Sequence, residues 1–158
     1  MRQARLSRSG VSVARRQQLP GAAGRAAALA DGELRQATIF VVEDDQDVLV
    51  SLRFLLETEG FNVRTFASGP ALLAEGLPGP GDCLVVDYKM AEMDGFELIE
   101  RLRSQRVSAP VVLVTAYPGP AVSARAESSG VRHIVLKPHI EDSLIGHVRA
   151  AMSEAHPA

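Results

Sequence analysis

The chain has little of several residue types, and each shortage excludes a class of protein. Its 158 residues include one cysteine, no tryptophan and only 4% aromatic residues. A single cysteine, Cys83, cannot form an internal disulfide framework or a cysteine-rich zinc site. No apolar run approaches the about 20 residues that a membrane-spanning helix needs. We therefore expect a soluble protein of a reducing compartment, and we predict that it is cytoplasmic.

Acidic residues are absent from residues 1–30, and the charge of the chain divides near that point. Residues 1–37 carry seven arginines and two acidic residues, whereas residues 38–158 carry ten basic and seventeen acidic residues. The first segment has no sustained apolar period, so it cannot bury enough surface to offset the entropy of ordering. We interpret residues 1–37 as a basic leader that is disordered or wrongly assigned to the protein. A targeting peptide or an arm that holds nucleic-acid phosphates is the alternative.

The segment 38–154 is the predicted folded domain, and 155–158 is a short tail. Five β-rich runs predict strands, at residues 38–42, 61–66, 83–87, 111–115 and 133–137. Five further segments predict helices, at residues 46–59, 71–75, 94–105, 121–129 and 141–152. Strands that alternate with helices in this way indicate an α/β domain, with a doubly wound parallel sheet covered on both faces.

Polar residues stand at the ends of four of the five predicted strands. They are Glu43, Asp44 and Asp45 after the first strand, Asp87 on the third, Thr115 on the fourth and Lys137 on the fifth. In open parallel sheets the functional site lies beyond the carboxyl ends of the strands. We therefore expect these side chains to converge on one place.

Most of these residues also have an ordinary structural explanation. Asp45 is expected to cap the first helix, Thr115 could close a turn, and Lys137 could be solvated. Glu43 and Asp44 are harder to explain, because adjacent carboxylates repel each other unless a cation is present. The set as a whole suits a hard divalent cation and a phosphoryl group, since carboxylates bind Mg²⁺ while lysine and threonine contact phosphate oxygens. Phosphoryl transfer needs mainly such positioning and charge neutralisation.

The order and spacing of these residues resemble one protein family. The pattern consists of Glu43-Asp44 after two valines, Asp87 forty-three residues beyond Asp44, Met90, Asp94-Gly95, Thr115-Ala116 and Lys137-Pro138. It resembles a response-regulator receiver domain of the CheY-like type over residues 39–152. The resemblance implies a flavodoxin-like (βα)5 fold with the strand order 2-1-3-4-5.

The resemblance also implies a phosphoacceptor and a metal site. Asp87 would attack the phosphorus of a phosphohistidine, on a sensor histidine kinase or a histidine phosphotransfer protein. Mg²⁺ would be bound by the carboxylates of Asp44 and Asp87 and by the backbone carbonyl of Lys89, with Glu43 acting through a water. 

Two further residues would act on the phosphoryl group. Lys137 would pair with the phosphoryl oxygens, and Thr115 would move to hydrogen-bond one of them. A cis peptide bond would precede Pro138.

The family is regulatory, so the resemblance implies no enzyme activity beyond the domain's own phosphorylation and dephosphorylation. The domain would signal through its surface, at the fourth helix, fifth strand and fifth helix, to a downstream protein target. Few residues follow the last helix, so we expect a single-domain regulator with no DNA-binding domain and no membrane association. A homodimer formed on phosphorylation is a further outcome that the resemblance allows.

Some positions depart from the family pattern. Ala91 stands where the family usually has proline, and His139 stands where it commonly has phenylalanine. Ile134 occupies the position of a switch residue that is normally tyrosine or phenylalanine. An aromatic swing is therefore unavailable there, although the neighbouring His133 could take its place.

Two other residues lie at positions that flank the path of an attacking water in this family. Lys89 is two residues beyond Asp87, and Tyr117 is two residues beyond Thr115. We hypothesise that the bulk of Tyr117 slows loss of the phosphoryl group.

Three other types of protein are alternatives to a receiver domain that becomes phosphorylated. A flavodoxin-type cofactor site would need a glycine-rich phosphate loop after the first strand, where three acids would instead repel the phosphate. A phosphatase of the haloacid-dehalogenase type would have a second aspartate at the position of Lys89. A degenerate receiver that binds proteins without phosphorylation is favoured by Ala91, Ile134 and His139, but the intact polar strand ends oppose it.

Overall fold

The computed structural model of the chain describes residues 36–155. The predicted leader lies outside the described residues except for residues 36 and 37, and so do residues 156–158 of the tail. The strands are β1 (Thr38–Val42), β2 (Asn62–Phe66), β3 (Cys83–Asp87), β4 (Val111–Thr115) and β5 (His133–Leu136). The helices are α1 (Gln46–Thr58), α2 (Gly69–Glu75), α3 (Gly95–Ser104), α4 (Pro120–Ser128) and α5 (Ile140–Ala155). Within residues 36–155, no helix is both long and apolar enough to span a bilayer.

The strands form one parallel sheet in the order β2-β1-β3-β4-β5. This order confirms the doubly wound, flavodoxin-like fold expected from the sequence. The three central strands β1, β3 and β4 are buried at every position, as strands covered by helices on both faces must be.

All five strands and five helices lie where they were predicted from the sequence, but some of them begin or end at other residues. Phe61 was predicted to begin the second strand, but its N–H donates to the Leu56 carbonyl, so it completes the turn after α1. Helix α4 begins at Pro120, since proline suits the first turn of a helix. Helix α5 begins one residue before the predicted start and continues to Ala155, which the sequence analysis assigned to the tail.

Two hydrophobic layers cover the sheet, one on each face. Successive residues of a strand point to opposite faces, so Ile39 and Val41 of β1 pack against α1 and α5. Phe40 and Val42 point the other way and pack into the layer that contains residues of α2, α3 and α4. Because both faces are covered, the polar side chains of the central strands can reach solvent only at the strand ends.

Aspartates fix the starts of the two helices that flank these ends. Asp45 accepts hydrogen bonds from the backbone N–H groups of Asp47 and Val48, at 3.0 and 3.2 Å, which confirms its predicted role as the cap of α1. Asp94 caps α3 by accepting from the Glu97 N–H, and the Asp94 N–H donates to the Glu97 side chain, which completes a capping box. Both loops that leave the sheet beside Asp87 are therefore held at their helical ends.

The single cysteine lies inside the sheet. Cys83 is buried at the start of β3, and burial raises the pKa of its thiol to about 12. The thiol therefore stays protonated at neutral pH and unreactive.

At two helical glycines, substitution by alanine is expected to have opposite effects on the stability of the fold. A Cβ added at Gly95 would lie 2.6 Å from the Asp87 carbonyl oxygen and 3.2 Å from Tyr88 Cα. Both are backbone atoms, so neither can move away without distorting the chain. We expect Gly95→Ala to destabilise the fold by about 1–3 kcal/mol, as overpacking does. Gly146 on α5 has no atom within 4 Å of an added Cβ, so Gly146→Ala should stabilise by about 0.5–1 kcal/mol. Urea unfolding of both variants tests the contrast, and a shift of the same sign in both would contradict it.

Candidate functional site

A cavity of about 250 Å³ opens at the carboxyl end of the sheet. It is lined by the last residue of β3 and by residues that follow β1, β3, β4 and β5: Glu43, Asp44, Asp45, Asp87, Lys89, Ala116, Tyr117 and Lys137. Five of the six site residues expected from the sequence are therefore brought together.

Thr115, the sixth, lies at the end of β4 but is not one of the lining residues. Its side chain is buried, and its hydroxyl oxygen accepts the Tyr117 backbone N–H at 2.9 Å. The hydroxyl proton remains available for donation.

Three carboxylates form the acidic part of the cavity. Oxygens of Glu43, Asp44 and Asp87 lie within 4.8 Å of one another. Glu43 is 1% exposed and Asp87 is 5% exposed, whereas Asp44 faces solvent. This is the arrangement of oxygen ligands that hard divalent cations such as Mg²⁺ prefer, with one exposed ligand through which the site can be reached.

The ammonium of Lys137 bridges the two buried carboxylates. It donates to Glu43 Oε2 at 3.0 Å and lies 3.1 Å from Asp87 Oδ1. One positive charge among three carboxylates leaves an excess of two negative charges, which a divalent cation would balance. Lys137 is expected from the sequence to pair with phosphoryl oxygens, and its contact with Glu43 is an additional finding of the structure.

Burial dominates the electrostatics of this group. Burial raises the pKa of Asp87, and Asp44 adds to the rise, although the Lys137 charge opposes it. Burial and the Asp87 charge likewise raise the pKa of Glu43. For Lys137, burial alone would lower the pKa, but the Glu43 and Asp87 partners together raise it. Burial therefore disfavours the ionised form of both carboxylates, and Lys137 offsets only part of this effect.

Backbone N–H groups orient the remaining carboxylate oxygens. The Asp45 N–H donates to Glu43 Oε1 at 3.1 Å, and the Ala91 N–H donates to Asp44 Oδ2 at 3.1 Å. A proline at position 91 would have no N–H to donate. The departure at Ala91 thus supplies a hydrogen bond to a candidate metal ligand, and this contact is not predicted from the sequence.

The loop after Asp87 is anchored on both sides. The Tyr88 N–H donates to the Val114 carbonyl at 2.8 Å, and the Gly95 N–H donates to the Tyr88 carbonyl at 2.9 Å. The Tyr88 ring packs edge-on against buried Phe96, with centroids 5.1 Å apart. This anchoring fixes the backbone beside the carboxylate, and the contact between Tyr88 and Phe96 is not predicted from the sequence.

The mouth of the cavity carries two larger side chains. The Lys89 ammonium lies 4.6 Å from the Tyr88 ring centroid and 5.9 Å from that of Tyr117. Tyr117 is 59% exposed. Both therefore stand at the solvent side of the site.

The fifth strand supplies Lys137 from its carboxyl end. The Lys137–Pro138 peptide bond is cis, which confirms that expectation, and the Lys137 N–H donates to the Thr115 carbonyl at 2.9 Å. In the parallel register Thr115 lies beside Leu136, whereas His133 lies beside Val112 at the other end of the strand. His133 therefore does not take the place of the missing aromatic switch residue.

Comparison with known proteins agrees with this geometry. The family described as response regulator receiver domain matches residues 39–149. The transcriptional regulatory protein FixJ of Bradyrhizobium diazoefficiens is 33% identical over 121 residues, which cover 76% of this chain and 58% of that protein. The chain thus spans little more than half the length of this curated relative.

Solved structures show the same relationship. The response regulator StyR is 33% identical with a TM-score of 0.71, over 77% of this chain and 61% of that one. A CheY-like receiver domain protein from Methanospirillum hungatei is 25% identical with a TM-score of 0.68, over 77% of this chain and 97% of that one. With the strand order and the family match over most of its length, the chain belongs to the receiver domains of two-component response regulators.

Proposed function

We propose that Asp87 accepts a phosphoryl group from a histidine of a sensor kinase or phosphotransfer protein. One observation carries the proposal: a buried carboxylate at the end of β3 lies 3.1 Å from an ammonium and within 4.8 Å of two further carboxylates. Such a group has no role in holding the core together, and it combines a nucleophile with the means to neutralise phosphate charge.

The transfer forms one bond and breaks another. An oxygen lone pair of the Asp87 carboxylate attacks phosphorus, while the phosphorus–nitrogen bond of the phosphohistidine breaks. The bonding electrons pass to the imidazole nitrogen, which takes up a proton as it leaves. The product is an acyl phosphate on Asp87 and a neutral histidine on the donor.

The acidic cluster fits Mg²⁺. Carboxylate oxygens of Asp44 and Asp87 and the Lys89 backbone carbonyl would hold the ion, with Glu43 acting through a water. When bound, Mg²⁺ would neutralise negative charge on the carboxylates and on the phosphoryl group.

Lys137 and Thr115 would stabilise the phosphorylated state. Lys137 already lies within ion-pair distance of Asp87, so its ammonium would meet a phosphoryl oxygen with little movement. Thr115 would donate its hydroxyl proton to another phosphoryl oxygen, and a shift of the hydroxyl toward that oxygen would pull on the Tyr117 backbone N–H that it accepts. This shift would carry the change into the loop before α4.

A groove beside the site suits the phosphodonor. It has a volume of about 420 Å³ and joins the start of α1 to the start of α5, next to Lys137. Its lining is mainly apolar at the centre with acidic residues at the rim: Asp47, Val48, Ser51, Leu52, Leu55, Pro138, Ile140 and Glu141. We assign this groove to a helix of the kinase or phosphotransfer protein, because a donor histidine must reach Asp87 from this edge of the sheet.

The output of the domain belongs to the same proposal. The domain would act on a downstream protein through the surface of α4, β5 and α5, by itself or as a phosphorylation-dependent homodimer. Helix α4 is the least buried element of this surface, with only Ala126 buried and no side-chain cap among the described contacts. It is therefore the element of this surface that can shift at least cost.

A degenerate receiver that binds its partner without phosphorylation is the second candidate. Ile134 favours it, because this half-buried side chain packs into the core cluster and cannot perform the swing of an aromatic ring. The two candidates differ in whether Asp87 becomes phosphorylated.

Phosphorylation of Asp87 is tested with a small-molecule phosphodonor and Mg²⁺. We expect the intact protein to gain the mass of one phosphoryl group, in an acid-stable and base-labile form. Asp87→Asn should abolish the gain, because the amide is not a nucleophile here, and a chelator should abolish it too. The matched control is Asp142→Asn, which removes a carboxylate that is 77% exposed on α5 and should leave the gain unchanged. No gain in the parent protein would establish the degenerate receiver instead.

The raised pKa of Asp87 predicts that the functional charge destabilises the metal-free fold. Between the unfolded pKa of about 3.9 and the higher folded pKa, the native state binds more protons, so the parent loses stability as pH rises. We expect Asp87→Asn to be more stable than the parent in chelator at pH 7.5. The difference should vanish below the unfolded pKa, where the Asp87 carboxyl of the parent is neutral in both the folded and the unfolded state. Urea unfolding at the two pH values measures it, and an equally or less stable variant at pH 7.5 would contradict the assignment.

Tyr117 is predicted to slow hydrolysis of the acyl phosphate. Its ring stands at the mouth of the cavity with Lys89, where it restricts the approach of water. Tyr117→Ala should lose the phosphoryl group several-fold faster than the parent, and Tyr117→Phe, which keeps the ring, should not. Decay of the phosphorylated mass after removal of the donor gives both rates. An unchanged rate in Tyr117→Ala would count against this role.

A further inference from the structure

Two histidines and a glutamate form a connected cluster away from the acidic cavity. His133 is the first residue of β5, and Asp87 is the last residue of β3. Because the strands are parallel, the two residues lie at opposite ends of the strands. His133 Nδ1 is 3.2 Å from Nδ1 of His147, and His133 Nε2 is 3.1 Å from Glu154 Oε1. His147 and Glu154 are seven residues apart on α5, two helical turns, so they share the face that packs on β5.

The contact with Glu154 determines where His133 carries its proton. A carboxylate only accepts hydrogen bonds, so the Nε2 of His133 must donate. In the neutral ring this leaves the Nδ1 of His133 with a lone pair directed toward His147. Glu154 is held in turn by Arg132, whose Nη1 is 4.0 Å from Glu154 Oε2.

We propose that His133 and His147 bind a late first-row divalent metal ion, of which Zn²⁺ is the representative, through their Nδ1 atoms. Zinc–nitrogen bonds of 2.0–2.1 Å in a tetrahedral site place two nitrogens about 3.3 Å apart. The observed 3.2 Å separation between the two Nδ1 atoms is close to this value. His147 serves as the second ligand when its own proton lies on Nε2.

Glu154 has the position that supports a metal-binding histidine. Such a histidine usually donates its other ring N–H to a carboxylate, which fixes the tautomer and makes the coordinating nitrogen more basic. His133 has this arrangement, and its side chain is only 12% exposed, so the ring is held in place. A plain hydrogen bond between the histidines needs neither the carboxylate nor this degree of confinement.

The cluster is open on one side. A surface cavity of about 500 Å³ is lined by His133, Ser143, Gly146, His147 and Ala150. Apart from the histidines these are small residues, and an added Cβ at Gly146 would meet no atom within 4 Å. An ion can therefore enter, and water can occupy its remaining coordination positions.

The ligand types separate this site from the acidic cavity. Imidazole nitrogens suit Zn²⁺, Cu²⁺ and Ni²⁺, whereas the carboxylates of the acidic cavity suit Mg²⁺. The two-histidine site lies at the amino end of β5, away from the acidic cavity at the carboxyl ends of the strands, and it does not depend on phosphorylation.

Zinc titration of the full chain by calorimetry tests the site. All proteins carry Asp44→Asn and Asp87→Asn, so that the acidic cavity no longer competes for zinc, and circular dichroism verifies folding. We expect one binding event that His147→Gln removes. Glu154→Gln keeps both ligands and should weaken binding about 10–100-fold. His139→Gln is the matched control, because His139 is 79% exposed and its substitution should change nothing.

Nitrogen NMR of the histidine rings provides a second measurement on the chain without substitutions. Zinc should shift the Nδ1 signals of His133 and His147 and leave that of His139 unchanged. The proposal is wrong if His147→Gln binds zinc as tightly as its parent, if His139→Gln loses binding equally, or if the two Nδ1 signals do not move. Any of these results would mean that the two histidines form only a hydrogen bond.

Discussion

The ion pair from Lys137 to Asp87 and Glu43 is the interaction on which the candidate site depends. Two carboxylates that are almost fully buried could not stay ionised together without a cation, and the Lys137 ammonium touches both. The raised pKa of Asp87 shows that this single charge does not fully compensate for burial. The site therefore keeps an excess of negative charge that favours binding of a divalent cation, and such a cation would in turn attract the anionic phosphoryl group.

The strand order makes this pairing possible. Glu43 follows β1, Asp87 ends β3 and Lys137 follows β5, and in the order β2-β1-β3-β4-β5 these strand ends lie along one edge. Lys137 must reach across β4, and the hydrogen bond from its N–H to the Thr115 carbonyl fixes where the side chain starts. Residues separated by 94 positions in the chain thereby come within 3.0 Å.

The sequence predicts what depends on local pattern and on the rules of parallel sheets. Alternating apolar runs revealed the elements, the cap at Asp45 was evident from its place before a helix, and polar strand ends pointed to one site. The contact of Lys137 with Glu43, and that of Ala91 with Asp44, could not be predicted in this way. Both depend on the register and height of separate loops to within an ångström, and a backbone donor such as the Ala91 N–H has no signature in residue type.

The fifth strand connects the two polar clusters of the domain. Among the described strands it lies at the edge of the sheet and pairs with β4 alone, while Ile134 and Val135 pack into the two hydrophobic layers. At its carboxyl end Lys137 is tied to Asp87, and at its amino end His133 is tied to His147 and Glu154 of α5. Phosphorylation of Asp87 would rearrange the first set of contacts and leave the second intact. The amino end of β5 would then act as the fixed point about which its carboxyl end and the exposed Leu136 beside it can shift.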